Sequence, residues 1–190
     1  MKIIVTNDQS FRLIPDSALL LKHRPFFLPD YVETLHAKVA LVVKINRLGK
    51  YIQEKFAHTY YDEIGFAINF YDKKCLETLV AQGLPWERAT CLDGSFALSN
   101  LMKISEIQNT AVVETHGRAS LQNDQQQSFQ IQPTLNQIPK TIANLSTFMT
   151  LKIGDYIAIE LGEMDCNPLK ISDILQLSLG EKEILRVTIK

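Results

Sequence analysis

Four histidines, three cysteines and 21 carboxylate side chains could build many kinds of site, so spacing decides which chemistries are open. His36, Lys38 and Ala40 alternate through Leu-His-Ala-Lys-Val-Ala-Leu-Val-Val (35–43). Side chains alternate across a strand with period two, so these three share one face. Carboxylates at the last two positions would aim hard oxygen ligands into one pocket, as a magnesium or calcium site requires. Here the pair is a cation and a methyl group. His36 could act as a general base if a partner oriented it, although a lone histidine on an apolar strand is more often a hydrogen-bonded structural residue. Lys38 could be a site cation or a nucleophile of depressed pKa; more often such a lysine packs its stem and sends its amine to water.

Other chemistries find little support. His23, His58 and His116 have no mutual spacing of a ligand set, and Cys75, Cys91 and Cys166 form neither a Cys-x-x-Cys pair nor a disulfide framework. They read as reduced core thiols. Ser95 lacks the Gly-x-Ser-x-Gly frame of a nucleophile elbow, and no glycine-rich phosphate loop is present. Glu33 and Glu160 are the carboxylates to watch beside a pocket on the His36 face. Their positions in sequence do not by themselves make a two-carboxylate mechanism.

The elements that must position these residues follow from pattern. Residues 2–5 read as a strand and 6–11 as polar turn; 36–43 is a buried strand, followed by a turn at 46–50 whose Asn46 and Gly49 suit positive φ. Residues 51–61 read as a short helix with Ile52, Phe56 and Tyr60 on one face, and 65–70 as a second buried strand. Asp72 suits the N-cap of a helix over 73–82, with Leu76, Leu79 and Val80 as its stripe and Gly83 and Pro85 as its stop. Strands follow at 111–114, 129–132 and 156–160, with turns at Gly117, Asn123-Asp124 and Gly154-Asp155 and a loop at 125–127. A helix is expected over 138–148, its buried face given by Ile142, Leu145 and Phe148, then a helix or turn within 169–178 and a strand over 184–189.

Length and composition narrow the class. With 190 residues, 46% of them apolar, the chain suits one domain over 1–190, an α+β, β-rich fold. A net charge of -1 without long charge runs argues against nucleic acid and against a polybasic membrane patch. No segment has the run of apolar residues a membrane span needs, and a cytoplasmic location is expected.

Several motifs in order resemble the C-terminal domain of the fumarylacetoacetate hydrolase family. They are Pro25-x-x-x-Pro29, His36 followed by Leu41-Val42-Val43, the strand opened by Gly65, Gly83-Leu84-Pro85-Trp86, Asp93-Gly94, and Thr150-Leu151-x-x-Gly154-Asp155. The resemblance, to acylpyruvase and 2-hydroxyhepta-2,4-diene-1,7-dioate isomerase types, implies a mixed β-roll or β-sandwich with a few short helices and a homodimer. A mixed oligomer with an intact paralogue is a second possibility. Active relatives hydrolyse, isomerise or decarboxylate 2-oxo or 1,3-dicarbonyl acids, with a divalent metal held by two glutamates and an aspartate. Lys38, Ala40 and Asn69 fall at those positions, Tyr71 being the alternative to Asn69. Ile14 and Thr90 stand where the family has lysines, the N-terminal histidine segment is missing, and Ile159-Glu160-Leu161-Gly162 replaces a Thr-Gly-Thr-Pro carboxylate clamp. Ligand contacts, if kept, would fall at Glu160 and Gly162, and a glutamate there would repel a carboxylate. The resemblance therefore implies no magnesium or calcium, and a catalytically degenerate member that keeps its fold for ligand binding or oligomeric assembly. The alternative is an active hydrolase, isomerase or decarboxylase with a metal-independent site around His36, Lys38 and Asn69. On either reading Lys38, Ala40 and Asn69 should lie together at one end of the roll.

Overall fold

The computed structural model describes residues 1–7, 10–20, 24–107, 112–118, 124–164 and 168–190. His23, Ala111, Asn123 and Cys166, used above, lie outside the described residues. Twelve strands are described: β1 (Ile3–Thr6), β2 (Phe11–Ile14), β3 (Leu19–Leu20), β4 (Leu35–Lys44), β5 (Glu63–Asp72), β6 (Phe96–Leu98), β7 (Met102–Lys103), β8 (Val112–Arg118), β9 (Asp124–Gln130), β10 (Tyr156–Glu163), β11 (Ile174–Leu179) and β12 (Lys182–Thr188). The helices are α1 (Lys73–Ala81), α2 (Glu87–Thr90), α3 (Ile104–Ile107) and α4 (Gln132–Phe148).

A mixed sheet runs β2-β1-β10-β4-β5-β6-β3, with β7 beside β5, and a second, antiparallel sheet runs β12-β11-β8-β9. The fold is α+β and β-rich, as expected. β4 lies between β10 and β5 with both faces covered, which is why its sequence reads as a nearly continuous apolar run. One face carries Leu35, Ala37, Val39, Leu41 and Val43 into the large core against β11, β12 and α4. The other carries Ala40 and Val42 into a smaller cluster with Ile3, Val5, Ile14, Ala67, Phe96 and Ala158. Each fully buried Leu or Ile contributes roughly 1.5–3 kcal/mol, so the large face does most of the stabilising. The smaller face has room for polar side chains at its open end.

Several local expectations are corrected. The Gln-rich 125–127 is strand rather than loop, because Thr115↔Gln127 and His116↔Gln126 pair across β8 and β9; Gly117 is likewise inside β8. Residues 174–179 form β11, not helix or turn, with Leu175 and Leu177 facing the core. The segment Glu54–Tyr60 is a 3-10 helix, so its inward residues are Ala57 and Tyr60 at spacing three, and Phe56 is exposed. In the preceding turn the positive φ falls on Tyr51 (54°). Gly49 is required for a different reason: a Cβ there would stand 2.4 Å from the Tyr60 ring. Helix α1 is capped as expected, Asp72 accepting from the Cys75 amide, but it buries no residue fully and Val80 is exposed. Helix α4 starts earlier than expected and buries Ile138, Ile142 and Leu145, while Phe148 stays half-exposed against the Phe11 ring.

Candidate functional site

Strand register brings the expected residues together. Lys38 pairs directly with Asn69 across β4 and β5, Ala40 with Ala67 on one side and Glu160 of β10 on the other, and His36 with Tyr71. Directly opposed residues point to the same side of a sheet, so all of these belong to the smaller face. Asn69 is thus the neighbour of Lys38, and Tyr71 lies one pleat further on, opposite His36.

The charges on this face are arranged around Glu160, whose side chain is 7% exposed. Arg12 Nη2 donates to its Oε1 at 2.6 Å and Lys38 Nζ to its Oε2 at 3.0 Å. A carboxylate removed from water costs several kcal/mol unless opposite charge and hydrogen bonds compensate, and here two cations from two other strands do so. The Lys38 amine therefore does not simply reach water, as its type suggested. Nor is Glu160 a bare negative charge repelling anions: two cations share it, and the cluster carries a net positive charge. Lys38 Nζ also lies 5.6 Å from the centroid of the Tyr71 ring, within cation–π range.

Beside this pair two buried groups lack partners. Asn69 is 1% exposed, and neither its amide nitrogen nor its carbonyl oxygen makes a hydrogen bond. Arg12 Nε is also buried without an acceptor. Orphaned buried polar atoms are rare and costly in a native fold, which marks this place as one that stability alone did not shape.

Glu163 joins the same face through a β-bulge. Period two would turn it away from Glu160, but the register shifts between Glu160 and Gly162, so that Glu160 opposes Ala40 and Glu163 opposes Lys38. Gly162 at the bulge meets Phe129 of the second sheet, whose ring would lie 2.7 Å from any Cβ. Its lack of a side chain thus serves packing. Lys73 Nζ donates to Glu163 Oε1 at 2.9 Å. His36 Nδ1 is 3.2 Å from the same oxygen, within ion-pair distance but out of line for a hydrogen bond. Burial pushes the Glu163 carboxyl up, but hydrogen bonds from Lys73 and Tyr71 and the nearby charges of Lys73 and His36 outweigh it and hold the pKa below the usual value.

Thr90 stands apart on α2, buried, its hydroxyl donating to the Trp86 carbonyl at 3.1 Å. With Phe11, Arg12, Leu13, Pro85, Trp86 and Glu87 it lines an open cleft of about 380 Å³, which meets the charged cluster through Arg12. Glu33 belongs elsewhere, exposed and paired with Lys74. Sequence reasoning missed Arg12 and Glu163. The hint for Arg12 was a reversed alternation, Phe11 and Leu13 half-exposed with a cation between them; for Glu163 it was Gly162.

Residues 6–159 match the family model for the C-terminal domain of fumarylacetoacetate (FAA) hydrolase. The chain belongs to the fumarylacetoacetate hydrolase family. It is 26% identical over 147 residues to the oxaloacetate tautomerase YcgM of Escherichia coli, covering 75% of this chain and 65% of that protein, just under two thirds of its length. To the mouse mitochondrial oxaloacetate tautomerase FAHD1 it is 22% identical over 190 residues, covering 100% of this chain and 85% of that one. The fumarylpyruvate hydrolase of Pseudomonas aeruginosa, solved with Mn2+ and pyruvate, superposes with a TM-score of 0.78 at 14% identity, over 100% of this chain and 89% of that one. The 2-hydroxyhepta-2,4-diene-1,7-dioate isomerase of Mycobacterium marinum does so at 0.75 and 16% identity, over 99% and 73%. These likenesses show the fold.

The residues present do not fit the family's divalent ion. Lys38 presents an ammonium held by Glu160, Ala40 presents no donor, and Asn69 offers one neutral oxygen. Among the described residues no group of three or more His, Cys, Asp or Glu side chains could hold a metal ion. An ammonium at a ligand position changes the sign of the local field, and a dication needs several oxygen donors.

Proposed function

We propose that this fumarylacetoacetate hydrolase family protein has given up metal-dependent catalysis and keeps its fold to bind a small ligand or to assemble, as a homodimer or with an intact paralogue. The observation that carries this reading is the 3.0 Å pair between Lys38 Nζ and Glu160 Oε2 at the register position of Asn69 and Ala40. That pair puts a fixed internal cation where the family resemblance places metal ligands. The test joins two measurements. Thermal melts with and without millimolar magnesium or manganese should coincide, since any ion preferring the native state would raise the transition. Oxaloacetate, the substrate in the names of the tautomerase relatives, should equilibrate between keto and enol forms at the buffer rate. A metal-dependent shift together with turnover would overturn the proposal.

A second reading is favoured by one contact, His36 Nδ1 against Glu163. An imidazole beside a carboxylate could serve as a general base once a bound ligand brings the pair into line, and Lys38 could stabilise an enolate in place of a metal. The two readings part on turnover without metal: a rate above buffer in the presence of a chelator, lost in His36→Gln, selects the second.

A further inference from the structure

We infer that Arg12, Lys38 and Asn69 form a receptor for one small carboxylate, and that the chain's own Glu160 occupies it. Two cations grip opposite oxygens of the Glu160 carboxylate, Arg12 Nη2 at 2.6 Å and Lys38 Nζ at 3.0 Å, as they would grip a bound anion. The three side chains arrive from separate strands, β2, β4 and β5, and the occupant from a fourth, β10, so the receptor is built by tertiary structure rather than by a run of sequence. More hydrogen-bonding capacity is assembled than Glu160 uses. Two buried donors, Arg12 Nε and the Asn69 amide nitrogen, are without acceptors, and unused donors in a buried cationic site are best explained by an oxygen ligand that the side chain only partly imitates. The cations are not sealed in. The Arg12 and Lys38 side chains remain 18% and 24% exposed, and Arg12 also lines the open cleft beside Trp86. Exogenous anions therefore have a way in.

The inference goes beyond loss of metal chemistry and does not depend on the absence of turnover. Glu160→Ala removes a methylene and a carboxylate, the shape of acetate, and leaves two neighbouring cations uncompensated. In sodium chloride its melting temperature should fall by roughly 5–10 °C, the lower part of the range for breaking a buried ion pair in a chain of this length, since both cations keep some contact with water. Sodium acetate or formate at equal ionic strength should restore at least half of that loss. Acetamide, which fills the same space without charge, should not. The double variant Lys38→Met, Glu160→Ala should lose the response to acetate, because one of the two gripping cations is gone. If Glu160→Ala is recovered only unfolded, refolding yield replaces the melt, and recovery in acetate but not in chloride supports the receptor. Equal behaviour in acetate, acetamide and chloride, or an unchanged acetate response in the double variant, overturns it. The Mg²⁺ and oxaloacetate measurements on the native chain are independent of these outcomes, so either proposal can fail alone.

Discussion

The segment leading through β10 has a buried carboxylate at each end, Asp155 just before the strand and Glu160 within it, and the two are held in opposite ways. Asp155 accepts from the Lys2 amide at 2.9 Å, the Lys152 amide at 2.8 Å and the Lys2 amine at 2.5 Å. Two of its three donors are backbone, fixed by a turn in which Gly154 takes a φ of 84° and by the parallel pairing of β1 with β10. Glu160 is held by two long side chains, with unpartnered atoms around it. A carboxylate that exists to close a fold is satisfied by groups the fold positions anyway. One held by mobile side chains among orphaned polar atoms belongs to a place where something besides folding was selected.

Breaking each carboxylate should expose the difference. Asp155→Asn sets an amide group against three donors, two of which cannot move, and should cost about 3 kcal/mol. Glu160→Gln keeps one acceptor oxygen, and its cations can turn toward water, so its loss should be nearer 1 kcal/mol. Urea unfolding of both variants checks the order. A Glu160→Gln loss equal to or above that of Asp155→Asn would show that both ends are structural.

Acid sharpens the same contrast at smaller amplitude. Burial pushes the Asp155 carboxyl up, but the Lys2 amine and the Lys152 and Lys2 amides outweigh it and lower its pKa. A carboxylate depressed in the folded state contributes stability that is fully present above the unfolded value, near 3.9 for aspartate. That stability is lost as pH falls through the depressed folded value. Unfolding midpoints followed downward from neutral pH should therefore decline below about pH 4, and decline less steeply in Asp155→Asn. Glu163, also depressed but 37% exposed, should give the same sign with a weaker effect in Glu163→Gln because solvent screens it. An acid limb identical in Asp155→Asn and the native chain would remove Asp155 from the account.

How much of this was legible follows from what pattern can carry. The alternation through His36, Lys38 and Ala40 was enough to place them on one face, because β4 is long and covered on both sides. The family resemblance offered Asn69 or Tyr71 at the third position, and the register puts Asn69 beside Lys38. Arg12 was hidden in a four-residue edge strand too short for periodicity to register. Glu163 was hidden by the bulge, since period two turns it to the face away from Glu160 and the register shift between Glu160 and Gly162 breaks the count. The charge of Glu160 was legible, but its partners were not: they lie 148 and 122 residues away in sequence. Strand β11 was misread because its apolar residues come close enough together to suit a helix as well as a strand.

Asn69 gives the smallest expected effect and the finest test of the contrast between the two ends. At the Asp155 end every buried polar atom described above has a partner, so any apolar replacement there must destabilise. At the Glu160 end Asn69 buries an amide that makes no hydrogen bond, a state that costs roughly 1–3 kcal/mol relative to a satisfied or apolar group. Asn69→Leu, close in volume and free of polar atoms, should therefore leave stability unchanged or raise it by up to about 1 kcal/mol, even though the residue is 1% exposed. Most buried polar-to-apolar changes that break a hydrogen bond go the other way. Urea midpoints of Asn69→Leu and the native chain, at equal m-value, make the comparison. A loss above about 1 kcal/mol would mean that Asn69 is satisfied in solution, for example by an ordered water. The Glu160 end would then be as fully accounted for by folding as the Asp155 end.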